Sequence, residues 1–85
     1  MDIQEQLIGL CRDMIRLRGD ASRDANAERD QVREKIQIIG RTAAFFGGFD
    51  GMTKLHDACE AMTGNRNEIG DVLNRAWDQI GGWCA

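Results

Sequence analysis

The chain has 85 residues, which is enough for one domain and too few for two, so we predict a single domain over residues 1–85. Hydrophobic residues make up 42% of it and charged residues 29%, a balance that excludes a disordered chain and a membrane-spanning one. There is no proline, no tyrosine and few valines, whereas β-sandwiches and barrels need turn prolines and β-branched strands. These features predict an all-α fold.

Charge is unevenly distributed along the chain. The net charge is −3, and residues 1–46 carry eight basic and eight acidic side chains, which cancel. Residues 47–85 carry three basic against six acidic side chains, so the whole net charge belongs to this half. An acidic half argues against nucleic acid as its partner and is compatible with docking on a basic protein surface. Solubility alone is the alternative explanation of so small a charge.

Three cysteines indicate a reducing compartment. Cys11, Cys59 and Cys84 are an odd number, and the N-terminus has no basic region of the kind that begins a signal peptide. We therefore expect a cytoplasmic protein with free thiols and no membrane partner. Cys11 and Cys59 fall within apolar helical patterns and are expected in the core, whereas Cys84 is expected at the surface.

Apolar residues recur at helical spacing in four stretches, which predicts a compact bundle of about four helices joined by short glycine-containing loops. The predicted helices lie at about residues 3–18, 22–46, 51–63 and 67–80. Asp2 is the expected N-cap of the first helix, and Asp20 or Ser22 that of the second.

The first predicted helix presents two adjoining apolar stripes, which is more than one neighbouring helix covers. One stripe recurs at spacings of three and four residues, as in a coiled-coil seam: Leu7, Leu10, Met14 and Leu17. We therefore predict a homodimer with these four residues at its interface. The alternative is that the third and fourth helices fold over both stripes within one chain.

Glycines have a predicted structural role at two places in the chain. Gly40 lies inside the second predicted helix, where we expect it to allow a close approach between helices. The segment Gly47–Gly51 is expected to end the second helix and to form a loop before the third. It lacks the G-x₄-G-K-[ST] pattern of a phosphate-binding loop, so a simple turn is the interpretation we favour.

Residues with the chemistry for catalysis or metal binding are few and badly spaced. His56 and the three cysteines include no C-x₂₋₄-C pair, on which structural zinc sites are built. Ser22, the single serine, stands in a polar capping position with no histidine near it in the sequence. We predict no enzymatic activity, no metal site and no cofactor.

A DNA-associated regulator is an alternative function, because the first two predicted helices carry eight basic side chains. They are Arg12, Arg16, Arg18, Arg23, Arg29, Arg33, Lys35 and Arg41. They alternate with acidic residues, a pattern typical of a solvated face with many ion pairs, so nucleic acid is not the partner we expect.

Aromatic residues are the clearest indication of a partner surface, and the candidate anchors are Phe45, Phe46, Phe49, Trp77 and Trp83. Phe46 and Trp77 fit the helical periodicity and are expected in the core. Phe49 and Trp83 fall outside it, and we predict that they bind a partner protein. Filling the ends of the bundle is the alternative role for both rings. Three carboxylates of the acidic half complete the predicted partner surface: Asp50, Asp71 and Asp78.

The C-terminal stretch Leu73–Trp83, which reads LNRAWDQIGGW, resembles the endings of small uncharacterised bacterial and phage-encoded proteins. In size, acidity and helical character the chain is also similar to the small phage proteins that inhibit host machinery, such as anti-CRISPR proteins. This resemblance implies a stoichiometric binder that blocks a host protein sterically and has no chemistry of its own. The expected function is thus that of a small helical protein–protein interaction module, with a structural homodimer as a further alternative.

Overall fold

The computed structural model describes residues 2–64 and 67–84. They form three α-helices, α1 (Ile3–Arg16), α2 (Arg23–Met62) and α3 (Asn67–Trp77). Every regular element in these residues is helical, which confirms the all-α class. The predicted count of four helices is wrong, because the second and third predicted helices are the two halves of α2. None of the three helices, over the residues described, has both the length and the apolar composition that crossing a bilayer requires.

Polar residues cap the first turns of α1 and α2. Asp2 Oδ1 accepts a hydrogen bond from Gln4 N at 3.3 Å, and Ser22 Oγ accepts one from Ala25 N at 3.2 Å. These bonds confirm Asp2 and Ser22 as N-caps, since each satisfies a backbone N–H that has no partner within its helix. Gly19, with a φ of 78°, turns the chain between the two helices.

α2 is broken at Gly48, where φ is 64° and ψ is −158°. Glycine alone enters this region of backbone space without strain, because it has no Cβ. The break divides α2 into a first arm, residues 23–47, and a second arm, residues 49–62. A Cβ on Gly51 would lie 3.1 Å from the carbonyl oxygen of Ala43, so the two arms approach closely just beyond the break. One residue therefore replaces the five-residue loop that we predicted.

The core lies between α1, both arms of α2 and α3. All of these elements contribute to its largest fully buried side chains, which are Leu7, Cys11, Ile36, Met52, Cys59, Leu73 and Trp77. The Trp77 indole fills a notch above Gly40, where a Cβ would lie only 2.5 Å from Nε1. Nε1 donates a hydrogen bond to the carbonyl oxygen of Ile36 at 2.9 Å. The close approach predicted at Gly40 and the core position predicted for Trp77 are both confirmed.

α3 ends at Trp77, three residues before its predicted end, and the residues that follow fold back onto α2. Trp83 N donates a hydrogen bond to the carbonyl oxygen of Ile80 at 2.9 Å, which closes a turn. Gly81, with a φ of 58°, lies so close to α2 that a Cβ on it would be 2.7 Å from the Cβ of Ala44. This turn returns the chain to the bundle and buries the Trp83 side chain.

Candidate interaction surface

The most exposed large apolar side chains of the described residues lie at the break in α2. Phe45 is 83% exposed, Phe46 82% and Phe49 54%. The rings of Phe45 and Phe46 meet edge to face, with their centroids 5.1 Å apart. We call these three residues the phenylalanine patch. Burying one such side chain contributes about 1.5–3 kcal/mol, so the exposure of Phe45 and Phe46 indicates that the other described segments leave these two rings largely uncovered.

The prediction that Phe46 lies in the core is wrong. Helical spacing directs it inward only if the bundle continues alongside it. By that point the inner surface of the first arm is already occupied, because Gly51 packs against Ala43 and Gly81 against Ala44. The last turn of the first arm therefore projects beyond the elements that cover the rest of it.

Phe49, predicted to bind a partner, is the member of the patch that also touches the interior. Its ring centroid lies 5.3 Å from that of Trp83. Asp50, the next residue, is exposed, and its Oδ2 lies 3.1 Å from Lys54 Nζ. Both predicted partner residues thus face solvent, and their binding role stays a prediction.

Trp83, also predicted to bind a partner, lies instead among aromatic rings inside the bundle. Its ring centroid is 5.3 Å from that of Trp77 and 5.3 Å from that of His56, and we call these three residues the tryptophan cluster. Trp83 Nε1 donates a hydrogen bond to Asn74 Oδ1 at 3.2 Å. With 8% of the residue exposed, Trp83 offers almost no surface to another molecule. It fills the end of the bundle, which is the alternative role drawn from the sequence, and it is too buried to belong to a partner-binding surface.

The other two predicted partner residues belong to a different element. Asp71 lies on α3 and Asp78 in the turn that follows it, and both are exposed. The Asp78 carboxylate accepts a hydrogen bond from Gln79 Nε2 at 3.1 Å. Their part in binding stays a prediction.

The four residues predicted as a dimer interface are used within the chain. Leu7 and Leu17 are buried, and Leu10 and Met14 are partly buried against the core. α1 contacts both α2 and α3, so these helices cover its two apolar stripes, in agreement with the alternative drawn from the sequence. A dimer through this face would require the bundle to open, and the homodimer stays a prediction.

His56 lies beside two carboxylates on the second arm of α2. Its Nδ1 is 3.0 Å from Glu60 Oε1 and 3.5 Å from Asp57 Oδ1. Within the described residues these three groups are placed to hold a metal ion, since their ligand atoms lie within 4.8 Å of one another. The group contains no thiol, so it is not the zinc centre that the cysteines brought into question. All three side chains come from neighbouring turns of one helix, where side chains at i and i+4 lie next to each other whether or not an ion is bound.

Burial keeps the two core thiols protonated. Burial, with a smaller contribution from the neighbouring Cys59, raises the pKa of Cys11 to about 12, and burial raises that of Cys59 to about 11. A protonated thiol is a poor nucleophile and a poor metal ligand. The predicted core positions of both residues are confirmed, as is the exposure of Cys84.

The sequence placed Phe45 among the candidate anchors but did not predict the exposure of Phe46. A usable signal was the position of this pair directly before Gly47 and Gly48, because glycine ends helices and the last turn of a helix often projects from its bundle.

Comparison with known proteins gives this chain no neighbour. No protein-family model, no curated protein and no solved structure matches it.

Proposed function

We propose that this chain is a protein-binding module that docks through the phenylalanine patch into an apolar groove of another protein. The observation that carries the proposal is the exposure of Phe45 and Phe46, above 80% for both. Aromatic residues dominate binding hot spots, because a ring buries a large apolar area at a small cost in side-chain entropy. Exposed apolar patches of about 300–600 Å² on small proteins are often functional.

The phenylalanine patch projects from the bundle, so we expect its binding site on the partner to be concave. Phe45 and Phe46 stand at the end of the first arm of α2, and the half-exposed Ile38 precedes Phe45 by two helical turns on the same face. The edge-to-face contact between the two rings restricts their motion before binding. A rigid apolar ridge on a helix fits a concave apolar groove, as in helix-in-groove recognition.

A different protein fits this ridge better than a second copy of the chain does. Two clefts on the described surface contain charged side chains, Arg12 and Glu68 in one of about 480 Å³ and Arg18, Asp20 and Arg29 in one of about 350 Å³. Phenylalanine rings inserted there would strip water from those charges without replacing it. The occupant we propose is therefore a partner protein with an apolar groove.

The charged residues that flank the patch leave it close to neutral. Asp50 and Lys54 pair with each other, and Arg41 stands one turn before the patch. Affinity should then come from apolar burial and respond little to salt. Asp71 and Asp78 are candidates for steering the approach to a basic partner surface, an effect that salt does screen.

Blockade by occupancy is the mode of action that we propose for the bound state. The likeness in size and acidity to phage-encoded inhibitors supports it, because such proteins act in stoichiometric amounts by covering a surface that a host protein needs. Binding with no chemical step would also suit a chain whose core thiols are protonated.

Affinity capture from bacterial lysate tests the proposal with two matched variants. Phe45→Ser combined with Phe46→Ser removes the two most exposed rings, whereas Met62→Ser removes a half-exposed apolar side chain at the other end of α2. We expect the wild type and Met62→Ser to retain the same protein and the double variant to lose it. The purified pair should form a 1:1 complex whose dissociation constant rises by about 100-fold or more in the double variant.

Two outcomes would overturn this function. A protein retained equally by all three forms would place the binding surface elsewhere. Capture of the chain alone, with a dimer mass for the wild type and a monomer mass for the double variant, would assign the patch to self-association.

A further inference from the structure

Four arginines line one small cleft where the three helices meet. The cleft has a volume of about 180 Å³, and its lining consists of Met14, Arg18, Arg29, Arg33, Val72, Arg75 and Ala76. Arg18 follows α1, and Arg75 belongs to α3. Arg29 and Arg33 lie about one turn apart on the first arm of α2. Two helices and the turn after α1 thus bring four arginine side chains to one cleft, in a chain whose net charge is −3.

The Arg29 guanidinium is held mainly by neutral groups, beside the turn between α1 and α2. Its Nη1 donates hydrogen bonds to the carbonyl oxygens of Leu17 and, at 2.7 Å, Asp20, and its Nη2 donates to Asn26 Oδ1. These bonds fix the guanidinium beside the carbonyl end of α1, which attracts a cation, and they leave its positive charge uncancelled. The Asp20 carboxylate is the anion near it, with a pKa lowered mainly by a hydrogen bond from Ser22 N and to a smaller extent by Arg29.

The other three arginines have little ion pairing. Arg33 Nη1 lies 3.9 Å from Asp30 Oδ1, at the outer limit of an ion pair. Arg18 and Arg75 make no ion pair and donate no side-chain hydrogen bond to any residue that the structure describes. Among the described residues, Asp30 is the one carboxylate within 4 Å of these four guanidinium groups, so positive charge predominates in the lining of the cleft.

We propose that this cleft binds a phosphate group, either as inorganic phosphate or as the terminal phosphate monoester of a small molecule. Such a group carries about −1.5 to −2 charges near neutral pH and presents three strong acceptor oxygens, so it can pair with several arginines at once. The planar guanidinium donates paired hydrogen bonds to phosphate oxygens, and a singly charged carboxylate would use fewer of the donors. The volume is below the roughly 300–1,000 Å³ of sites for whole drug-sized ligands, so the cleft suits the phosphate head alone.

One compact cleft favours a terminal phosphate over the backbone of a nucleic acid. A bound strand needs a row of unpaired cations along its path. Arg16, next along α1, is already committed, because its Nη2 lies 3.1 Å from Glu28 Oε1 and 3.7 Å from Asp13 Oδ1. The proposal is also independent of the phenylalanine patch, since Arg33 precedes Phe45 by about 18 Å of helix.

Isothermal titration calorimetry with inorganic phosphate tests the site, with sodium chloride of matched ionic strength as the blank. Arg75→Gln removes one unpaired guanidinium, and Arg18→Gln removes the other from a different element. Arg41→Gln is the matched control, an exposed arginine on the same arm of α2 that lies outside the cleft. We expect one phosphate per chain for the wild type and Arg41→Gln, with dissociation constants that agree within about twofold. Each cleft variant should weaken binding by about tenfold or more.

A nucleoside 5′-monophosphate distinguishes the two sources of phosphate, since it should bind more tightly than inorganic phosphate only if the terminal phosphate of a larger molecule is the ligand. Whichever of the two ligands binds more tightly, binding to the wild type supports the site. A wild type that gives no heat with millimolar phosphate overturns it, and so does a loss that Arg41→Gln shares with the cleft variants. An oligonucleotide without terminal phosphates that displaces phosphate would assign the arginines to nucleic acid instead. Circular dichroism of Arg75→Gln and Arg18→Gln without phosphate verifies that each variant is folded.

Discussion

The phenylalanine patch and the tryptophan cluster contain the same kind of side chain in opposite surroundings. Phe45 and Phe46 are almost fully exposed, whereas Trp77 is fully buried and Trp83 nearly so. The two regions are in contact, since the rings of Phe49 and Trp83 have centroids 5.3 Å apart. The two regions are neighbours and both consist of apolar rings. Neither their location nor their hydrophobicity therefore explains why one is exposed and the other is buried.

Glycines account for both outcomes. Below Trp77, the missing side chain of Gly40 opens the notch that the indole fills. Beyond Phe46, Gly48 turns the helix back and leaves the preceding rings uncovered. Burial in this molecule therefore depends on whether another segment reaches a ring, and the ring's own hydrophobicity is secondary.

Removing a ring from the tryptophan cluster should have the largest effect. Trp77→Ala is expected to lower the free energy of unfolding by about 3–5 kcal/mol, because it leaves a cavity at a fully buried site. A domain of this size has about 4–13 kcal/mol in total, so the variant approaches the limit of folding. Urea unfolding followed by circular dichroism measures the loss. Trp77→Phe, which keeps most of the apolar volume, should lose less than half as much, and a loss below about 1 kcal/mol for Trp77→Ala would contradict the core assignment.

Raising the pH should weaken the same core through its two buried thiols. Burial holds the pKa of Cys11 at about 12 and that of Cys59 at about 11, above the 9.0 of an unfolded thiol. Their contribution to stability is therefore intact below pH 9 and is lost as the pH rises through 11 and 12, because only the unfolded chain ionises at first. We expect a fall of up to about 1.4 kcal/mol per thiol per pH unit above pH 9.

Denaturant titrations with a reductant present, at about pH 8, 9 and 10, measure this fall. Cys84→Ser should show the same pH profile as the wild type, because Cys84 is exposed. A free energy of unfolding that stays flat to pH 10 would show that the thiols are not buried in solution.

Adding a methyl group in the notch under Trp77 should lower the free energy of unfolding by a smaller amount. In Gly40→Ala the new Cβ would lie 2.5 Å from the Trp77 Nε1, and the crowding should cost about 1–3 kcal/mol. The better helix propensity of alanine offsets about 1 kcal/mol of this, so we expect a net loss near 1 kcal/mol. Gly9→Ala, where no atom lies within 4 Å of the added Cβ, should instead raise the free energy of unfolding by about 0.5–1 kcal/mol. Changes of the same sign in the two variants would rule out the notch.

Changes in the phenylalanine patch should have the smallest effect on stability. Phe46→Ser is expected to alter the free energy of unfolding by no more than about 0.5 kcal/mol, because its ring is almost wholly in water. Phe49→Ser should cost more, since that ring also packs against Trp83. The same urea titrations decide the matter, and a loss above about 1 kcal/mol for Phe46→Ser would show that the ring is covered in solution.

Local features of this fold could be predicted from the sequence, because their causes are local. The caps at Asp2 and Ser22 depend on residues two or three positions away. The core positions of Cys11, Cys59 and Trp77 follow from helical spacing. In each case the physical reason lies within one or two turns of helix.

The remaining features depend on contacts between distant segments, which spacing does not encode. Trp83 lies outside any periodic pattern, and its burial follows from a turn through Gly81 that packs against Ala44. The cleft that we assign to phosphate joins Arg18 to Arg75, which only the packing of three helices brings together. Phe49 could be assigned to a partner surface from the sequence. The high exposure of Phe45 and Phe46 could not, because it depends on where the bundle ends.

The break at Gly48 also determines the outline of the whole molecule. A straight helix of the 40 residues of α2 would be about 60 Å long, yet the longest dimension of the fold is 37 Å. A Cβ at position 48 would meet no atom within 4 Å, so what this position requires is a backbone conformation and not space. The two backbone torsion angles of one residue thus separate a compact fold from an extended one. A straightened chain would carry its second arm and α3 away from α1, where they could pair only with another molecule, as in domain-swapped assemblies.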